Sequence, residues 1–449
     1  MIIETAPPSP APATVGAPST PRLGYLTSRY PAVSHTFILR EVLGLRARGF
    51  EIHTASINAP DRVPERMTIE EAAEAKQTYC LKAHGWRGAW LALAWALATR
   101  PNALLRTLAR ALQFGRGLKR VYALAYAVEA TMVVRWMQRR QLTRLHVHFG
   151  NEGAAVGALV KALSGASLSI TIHGPDEFDD VPGQRLRQKI ETADQVICIS
   201  QYARSQLMRL SDPAQWPKLW LCHLGIDCEQ FVPQRCSPSS AQVTTTLPHG
   251  GFHSRRCTQA RAIQLLSVGR LAPAKGHSLL LQACAILLDR GVALQLQLVG
   301  DGPERSRLQQ LARDLGLSEI VRFSGALTSP EVRAALQQAH VFVLPSLAEG
   351  IPVVLMEAMA SGVACVSCPV NGIPELITHE HTGLLAPPGD AESLATQLQR
   401  LATDPALRAR LANAGRHRVE TAFNAACNLD RLAGLLRADP SPYCCGVPA

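Results

Sequence analysis

The sequence predicts an α/β protein of two doubly wound halves, each a parallel sheet covered by helices, facing each other across a cleft. Three observations predict this. Short apolar runs that end in polar residues and glycine alternate with helical stretches in both halves, as repeated βαβ units do. The chain has 449 residues, enough for two to three domains with sizeable cores. Between the halves, 234–261 is rich in Ser, Thr and Gly and lacks periodicity, so it reads as a linker or loop.

Residues 1–20, MIIETAPPSPAPATVGAPST, lack a charged start and an apolar core and read as a disordered Pro/Ala/Ser tail, not a secretory signal. An N-terminal domain is expected over 21–233. It opens with the strand RLGYLTS (22–28), a helix in SHTFILREVLGLRARG closed by Gly49, and the strand EIHTASI (51–57). RLHVHFG, SLSITIHG and QVICIS are further strands, and HLGIDCEQFVP (223–233) closes the half. A C-terminal domain is expected over 262–415, with strands in AIQLLSVGR, LQLQLVGDG, VRFSG, VFVLPS, ACVSCP and TGLLAP, all but the last separated by helical stretches. Residues 416–449 are expected to form a helix that packs back on the N-terminal domain, then a tail. In sheets of this kind the sites lie at the strand C-termini.

Composition narrows the class. A mean hydropathy of +0.04 excludes both a disordered polymer and a polytopic membrane protein. The twelve Cys have scattered spacings, so a reducing cytoplasm is expected and no disulfide framework. Cys365 and Cys368 fall in the apolar run GVACVSCPV and read as a buried strand; His379-Glu380-His381 reads as a loop. Between Lys82 and Arg144 stand twelve Lys or Arg against one acid, Glu129, so this segment alone carries a charge equal to the chain's +11. The rest sums to zero, and the positive field is local. AWLALAWALA (89–98) and VYALAYAVEATMVV (121–134) read as helices, flanked by Trp86, Trp90, Trp95, Trp136 and many cations. Both fall short of the roughly 18 apolar residues of a membrane span. Cations mixed with Trp predict a surface that lies on an anionic membrane, on its cytoplasmic side. Nucleic acid is not expected as a partner, because no reading motif accompanies the charge.

The second half holds the strongest chemistry. SVGRLAPAKGH (267–277) ends a strand at Gly269 and sets Arg270 and Lys275 five residues apart. Two cations there can hold a diphosphate, Arg through its fork and Lys as a point charge. PSLAEGIPVVLMEAMASG (345–362) places Glu349 and Glu357 with seven residues between them. Glu349 precedes a glycine and lies in a loop; the next helix begins near Pro352, where backbone N–H groups can cradle a phosphate or sugar oxygens. Glu357, a turn or more inside that helix, can accept two ribose hydroxyls.

Together with LVGDGPE (298–304), FSGAL (323–327), NGIPEL (371–376) and TGLLAPPGD (382–390), these segments resemble the donor domain of glycosyltransferase family 4. The resemblance covers nearly all of 263–415 and implies the GT-B fold, two Rossmann-like domains across a cleft. It implies Arg270 and Lys275 on a donor diphosphate, Glu357 on the ribose, and Glu349 facing the donor sugar. It also implies backbone at Gly350, Ile351 and Pro352 near the sugar hydroxyls or phosphate. Asn371 stands where the family often has Gly, and Leu224 where Asn is usual. In the first half, TIHGPDEF (171–178) ends a strand at His173, as the family's cleft-facing His does. His146 and His148 alternate on the preceding strand, so one of them can reach the cleft. SRYPAVSHTFILREV (28–42) resembles exopolysaccharide and colanic-acid-type glycosyltransferases, with Ser34 and His35 at a helix start near the phosphates or acceptor.

The implied reaction moves a hexose from a nucleotide diphosphate sugar to an acceptor hydroxyl with the anomeric configuration retained. A UDP-sugar is expected over a GDP-sugar, and the acceptor is expected to be a lipid-linked oligosaccharide or a polysaccharide, with a small soluble acceptor as the alternative. Arg270, Lys275 and the helix start can stabilise the leaving diphosphate, so no metal and no other cofactor is expected. A non-catalytic nucleotide-sugar-binding protein of an assembly complex is the reading from a different class. The complete set of Arg270, Lys275, Glu349 and Glu357 argues against it.

Overall fold

The computed structural model describes residues 20–32, 35–113, 119–233 and 262–437, with side chains described outside 113–122. The expected tail (save Thr20), the expected linker 234–261 and the chain beyond 437 lie outside the described residues.

Why the first half forms a sheet is visible in its burial. β4 (Arg144–His148), β5 (Ser167–Ile172) and β6 (Gln195–Cys198) are buried on both faces along nearly their whole length, as central parallel strands require. With β1 (Arg22–Arg29), β2 (Glu51–Asn58), β3 (Tyr79–Cys80) and β7 (Leu219–Leu221) they form a sheet of order β3-β2-β1-β4-β5-β6-β7. Every neighbouring pair is parallel. The second sheet has the order β10-β9-β8-β11-β12-β13 and is parallel throughout. Its strands are β8 (Ile263–Val268), β9 (Leu294–Val299), β10 (Val321–Gly325), β11 (Val341–Leu344), β12 (Ala364–Ser367) and β13 (Leu384–Leu385). The expected α/β class and the twofold doubly wound arrangement are observed. In each sheet the strand order reverses between the first and fourth strands, β1 and β4 in one, β8 and β11 in the other. Crevices at such reversals are where open α/β sheets bind ligands.

Local signals set the elements that flank these crevices. The helix Thr36–Ala47 buries Ile38, Leu39, Glu41, Val42 and Leu45, and the chain turns out of it through Gly49 at φ 84°. The helix Glu152–Ser164, capped by Asn151 and ended by Gly165 at φ 75°, is almost wholly buried and made largely of Ala, Gly and Val. Between β3 and β4 the basic segment forms three helices, Gly85–Thr99, Pro101–Gln113 and Lys119–Arg139, one more than the sequence suggested. The 101–113 stretch mixes Arg with Leu and Ala and lacks the long apolar run that marked its neighbours. Its amphipathic spacing buries Leu104, Thr107 and Ala111.

The chain ends by crossing back. After the helix Pro405–Ala422, the N–H of Ile226 donates to the carbonyl of Phe423 at 3.0 Å and that of Ala425 to the carbonyl of Ile226 at 2.9 Å, and the helix Ala425–Arg437 lies on the first domain. Leu432, Ala433 and Leu436 join Leu23, Tyr25, Ile38, Val42 and Leu45 in one core cluster. Arg48 donates to Asp430 at 2.6 Å, and Arg437 to the carbonyl of Arg48 at 2.7 Å. Leu436 is fully buried, so Leu436→Ala should destabilise the first domain by about 2–5 kcal/mol, read as a lower midpoint for its transition in chemical denaturation. An unchanged midpoint would mean the helix is not part of that core.

Candidate active site

The two domains meet backbone to backbone at the residues the sequence singled out. His173 and Gly174 follow β5, and Glu349 and Gly350 follow β11. A Cβ built on Gly350 would lie 2.2 Å from the carbonyl oxygen of His173, and one on Gly174 would lie 3.3 Å from Cα of Gly350. Only glycine allows that approach. Ile351 and Pro352 follow directly, both buried, and Pro352 caps the helix Val353–Ala360, where the sequence had placed the helix start.

On the second domain the candidate donor residues form two groups. Lys275, at the end of a short turn after β8, reaches Oε1 of Glu349 at 2.5 Å, and that oxygen also accepts from the hydroxyl of Ser346 at 2.7 Å. Gly276 at φ 66° makes this possible, because a Cβ there would lie 2.0 Å from the carbonyl of Pro345. Arg270 is exposed at the end of β8. Glu357 lies deeper in its helix and faces Arg40 of the first domain at 3.6 Å. Burial raises the Glu357 carboxyl above its usual range, against the pull of Arg40 and Arg333. The sequence assigned Glu357 to a ribose and gave Arg40 no part; the structure makes the two a pair across the cleft.

On the first domain a buried polar chain runs beneath His173. Nε2 of His173 is 2.9 Å from Nδ1 of His148, and Nε2 of His148 is 3.1 Å from Oε1 of Glu41. Tyr25 donates its hydroxyl to the same carboxylate oxygen at 2.9 Å. Burial drives His173 well below its usual pKa, helped by the neighbouring His148, His35 and His146, so its ring is neutral near pH 7. Burial alone would raise Glu41, but His148, His146 and the Tyr25 hydrogen bond outweigh it and hold the carboxyl below its usual value. His35 stands beside this chain, with ring centroids 4.8 Å from Phe149 and 6.0 Å from Phe37. Phe37 and Phe149 in turn wall the His173 ring at 4.8 and 4.5 Å. Ser34 lies outside the described residues. Of the two alternating histidines, His148 is the one that reaches His173. His146 bonds instead to the hydroxyls of Ser169 and Thr171 at 2.7 and 3.1 Å, and burial takes it down to about 3.

Two residues that sequence reasoning passed over hold this arrangement. Glu177 accepts from the backbone N–H groups of Gly150, His173 and Gly174 and so fixes the turn that carries His173. Burial pushes it up to about 7, opposed by those three donors and by Lys189. Glu41 was legible in principle: it shares the i, i+3, i+4 stripe of Ile38, Val42 and Leu45, and an acid on an apolar stripe needs a partner. Ligand atoms of Glu41, His146 and His148 also lie within 4.8 Å of one another. Both nitrogens of His146 already have hydroxyl partners, which favours a hydrogen-bonded cluster over a metal centre. A pocket beside Glu41 is lined also by Arg40, Cys222, His223 and Asn428. It adjoins the candidate donor residues without including them.

Comparison with known proteins agrees with this geometry. Residues 35–230 match the model for Glycosyltransferase Family 4, and 258–418 that for Glycosyl transferases group 1. The chain is 30% identical to the amylovoran biosynthesis glycosyltransferase AmsK of Erwinia amylovora, over 92% of this chain and 99% of that one. It belongs to glycosyltransferase family 4. The putative colanic acid biosynthesis glycosyltransferase WcaL of Escherichia coli K12 is 28% identical over 93% of this chain and all of its own. Both relatives bear out the subfamily likeness read from 28–42. Among solved structures, sucrose-phosphate synthase from Thermosynechococcus elongatus superposes with a TM-score of 0.69 at 21% identity, covering 93% of this chain and 98% of that one. HepE from Anabaena in complex with UDP-glucose gives 0.68 at 17%, covering 93% and 99%. These likenesses show the GT-B fold.

In this family 4 glycosyltransferase, the contact at Gly350 joins the two domains. Gly350→Ala should push them apart there and lower turnover by about tenfold or more, since misplacements near 1 Å have such effects. Gly434→Ala, whose added Cβ meets nothing within 4 Å, is the control. Equal turnover of the two variants and the unaltered chain would show that the contact does not set the geometry of the site.

Proposed function

We propose that this glycosyltransferase moves a hexose, with retention of anomeric configuration, from a nucleotide diphosphate sugar to a hydroxyl of a lipid-linked or polysaccharide acceptor in cell-surface polysaccharide assembly. The observation that carries the proposal is the convergence of His173 with Glu349 and Gly350 where the domains touch. Lys275, paired with Glu349, and Arg270 stand at the end of β8, placed to meet charge that develops on a leaving diphosphate. The N–H groups at the start of Val353–Ala360 add to that field without a metal ion. Glu357 is positioned for the ribose and Glu349 for the sugar. A UDP-sugar is the proposed donor.

The acceptor is proposed to lie on a membrane. None of the described helices is long and apolar enough to cross one. The helix Gly85–Thr99 nonetheless exposes Trp86 (70%), Trp90 (65%), Leu91 and Leu97, and the next helix exposes Leu105 (65%) beside Arg106 and Arg110. The guanidinium of Arg87 lies 5.7 Å from the Trp86 ring centre. Of the four tryptophans expected to flank this surface, Trp136 is buried against Tyr79 and Trp95 packs on the core, because each falls on the inward face of its helix. The docking face is therefore built from Trp86, Trp90 and the exposed leucines, with cations beside them.

Two measurements test these proposals. Incubating the protein with a panel of UDP- and GDP-sugars and a polyprenyl-linked acceptor should give transfer with retained configuration by NMR. Arg270→Ala and Lys275→Ala should each lower kcat/KM by about tenfold or more, the worth of a hydrogen bond to a charged group. Donor binding without any turnover would favour the non-catalytic reading. In co-sedimentation, anionic vesicles should retain the protein at low salt and release it at high salt. Trp86→Ala with Trp90→Ala should weaken that binding by about tenfold or more. Equal binding to neutral and anionic vesicles, or no effect of the paired change, would make a soluble acceptor the better reading.

A further inference from the structure

After β12 the chain turns through NGIPEL (371–376) and forms the short helix Ile373–Leu376. Gly372 packs on the site, where an added Cβ would lie 2.0 Å from the carbonyl oxygen of Gly350. Three residues on, the side chain of Glu375 reaches into the other domain. Its Oε2 accepts from the N–H of Gln201 at 2.8 Å, and its Oε1 from that of Tyr202 at 2.9 Å. These are the first two residues of the helix Gln201–Leu210, which follows β6. N–H groups in the first turn of a helix have no partner within it. The third, that of Ala203, is met by the hydroxyl of the helix's own cap, Ser200, at 3.0 Å. The first two are met by a carboxylate from the second domain, whose charge also suits the positive end of the helix dipole. Nε2 of His223 lies 3.1 Å from the same Oε2. Burial alone would raise the Glu375 carboxyl, but His223 and the two N–H groups outweigh it and hold it below its usual value. The backbone of Glu375 is anchored on its own side, where Arg418 donates to its carbonyl at 2.8 Å. Ile199, just before the helix, has its Cδ1 3.4 Å from a Cβ built on Gly350. One corner of the first domain, 199–202, thus meets the second domain both at Gly350 and at Glu375.

We propose that Glu375 is a positioning residue that clamps the second domain to the start of the helix Gln201–Leu210 and so holds Gly350 against His173. The inference rests on the reading that the reacting sugars lie where those two residues meet. Parting the domains exchanges two charge-assisted hydrogen bonds for water, so the clamp favours the closed arrangement. Its partners belong to the first domain, whereas Arg270, Lys275 and Glu357 belong to the second. Loss of the clamp therefore costs turnover more than it costs nucleotide binding.

Hydrogen exchange on the full-length chain reads the clamp without any turnover. The amides of Gln201 and Tyr202 should be protected in the unaltered protein and exchange about tenfold faster or more in Glu375→Ala, while that of Leu207, buried in the helix interior, should change by less than about twofold. Glu375→Ala should also lower kcat by about tenfold or more, with the Kd for UDP within about twofold. Glu375→Gln, of the same shape without the charge, should move both readouts in the same direction and serves if Glu375→Ala does not fold. Gln201→Pro deletes one of the two N–H donors at a position where helices accept proline. It should lower kcat in the unaltered background and add nothing to Glu375→Ala, since both changes break one contact. Unmoved exchange at Gln201 and Tyr202 in the Glu375 variants, or fully additive losses of kcat, would overturn the proposal. If exchange responds and kcat does not, the carboxylate caps the helix without positioning the site, and the proposal also fails. If the unaltered chain transfers no sugar, the transfer reading fails instead, and exchange still decides whether the clamp forms.

Discussion

The site depends on backbone approaching backbone. Loops at the C-terminal ends of β8, β9, β11 and β12 are drawn together by glycines whose missing Cβ leaves room for a carbonyl. Gly300 would otherwise meet the carbonyl of Gly269, Gly276 that of Pro345, and Gly372 that of Gly350. Gly350 extends the same stack to His173 of the other domain. Side chains at these strand ends are therefore held by main-chain geometry and not by long, adjustable linkages. Lys275 and Glu349 gain their 2.5 Å contact because Gly276 lets the turn after β8 lie on the end of β11.

This explains which parts of the molecule were legible in the sequence. Leu294–Val299 announces itself by Leu/Gln alternation ending at Gly and Val341–Leu344 as an apolar run ending at Pro, and the structure has them within a residue or two. Glycines in GRLAPAKG and PSLAEGIP stood out for the same reason that they matter. Tyr79–Cys80 and Leu219–Leu221 are too short to show a period of two, and they exist as strands only because the sheet edge pairs them. Tertiary pairing also decided the polar sites. Arg40 and Glu357 are 317 positions apart in the chain, and nothing local in either helix specifies that they meet. Glu177 is closer to home, four residues after His173, but its three backbone donors come from two different strand ends.

The basic segment occupies a particular place in the topology. It spans the crossover from the edge strand β3 to β4, the connection that passes over the strand-order reversal of the first sheet. Its helices bury Ala92, Ala96, Leu104, Ala111 and Ala127, small or slender residues that let the three helices pack closely on one another and on the helix Glu152–Ser164. Met132, Trp136 and Met137 also point inward, whereas Trp86, Trp90, Leu91, Leu97 and Leu105 point outward. The outward set is confined to Gly85–Thr99 and the start of Pro101–Gln113, beside Arg87, Arg106 and Arg110.

The returning helix Ala425–Arg437 has a consequence for how the protein is made. Residues near the start of the chain, Leu23, Tyr25 and Val42, share a core with Leu432 and Leu436 near its end. Vectorial synthesis therefore delivers the first domain's sheet long before the last piece of that core, and the second domain must emerge in between. Until then the groove over Gly44, where Leu429 will lie, stays apolar and uncovered. Completion of the first domain's core therefore waits on a segment that is made only after the second domain.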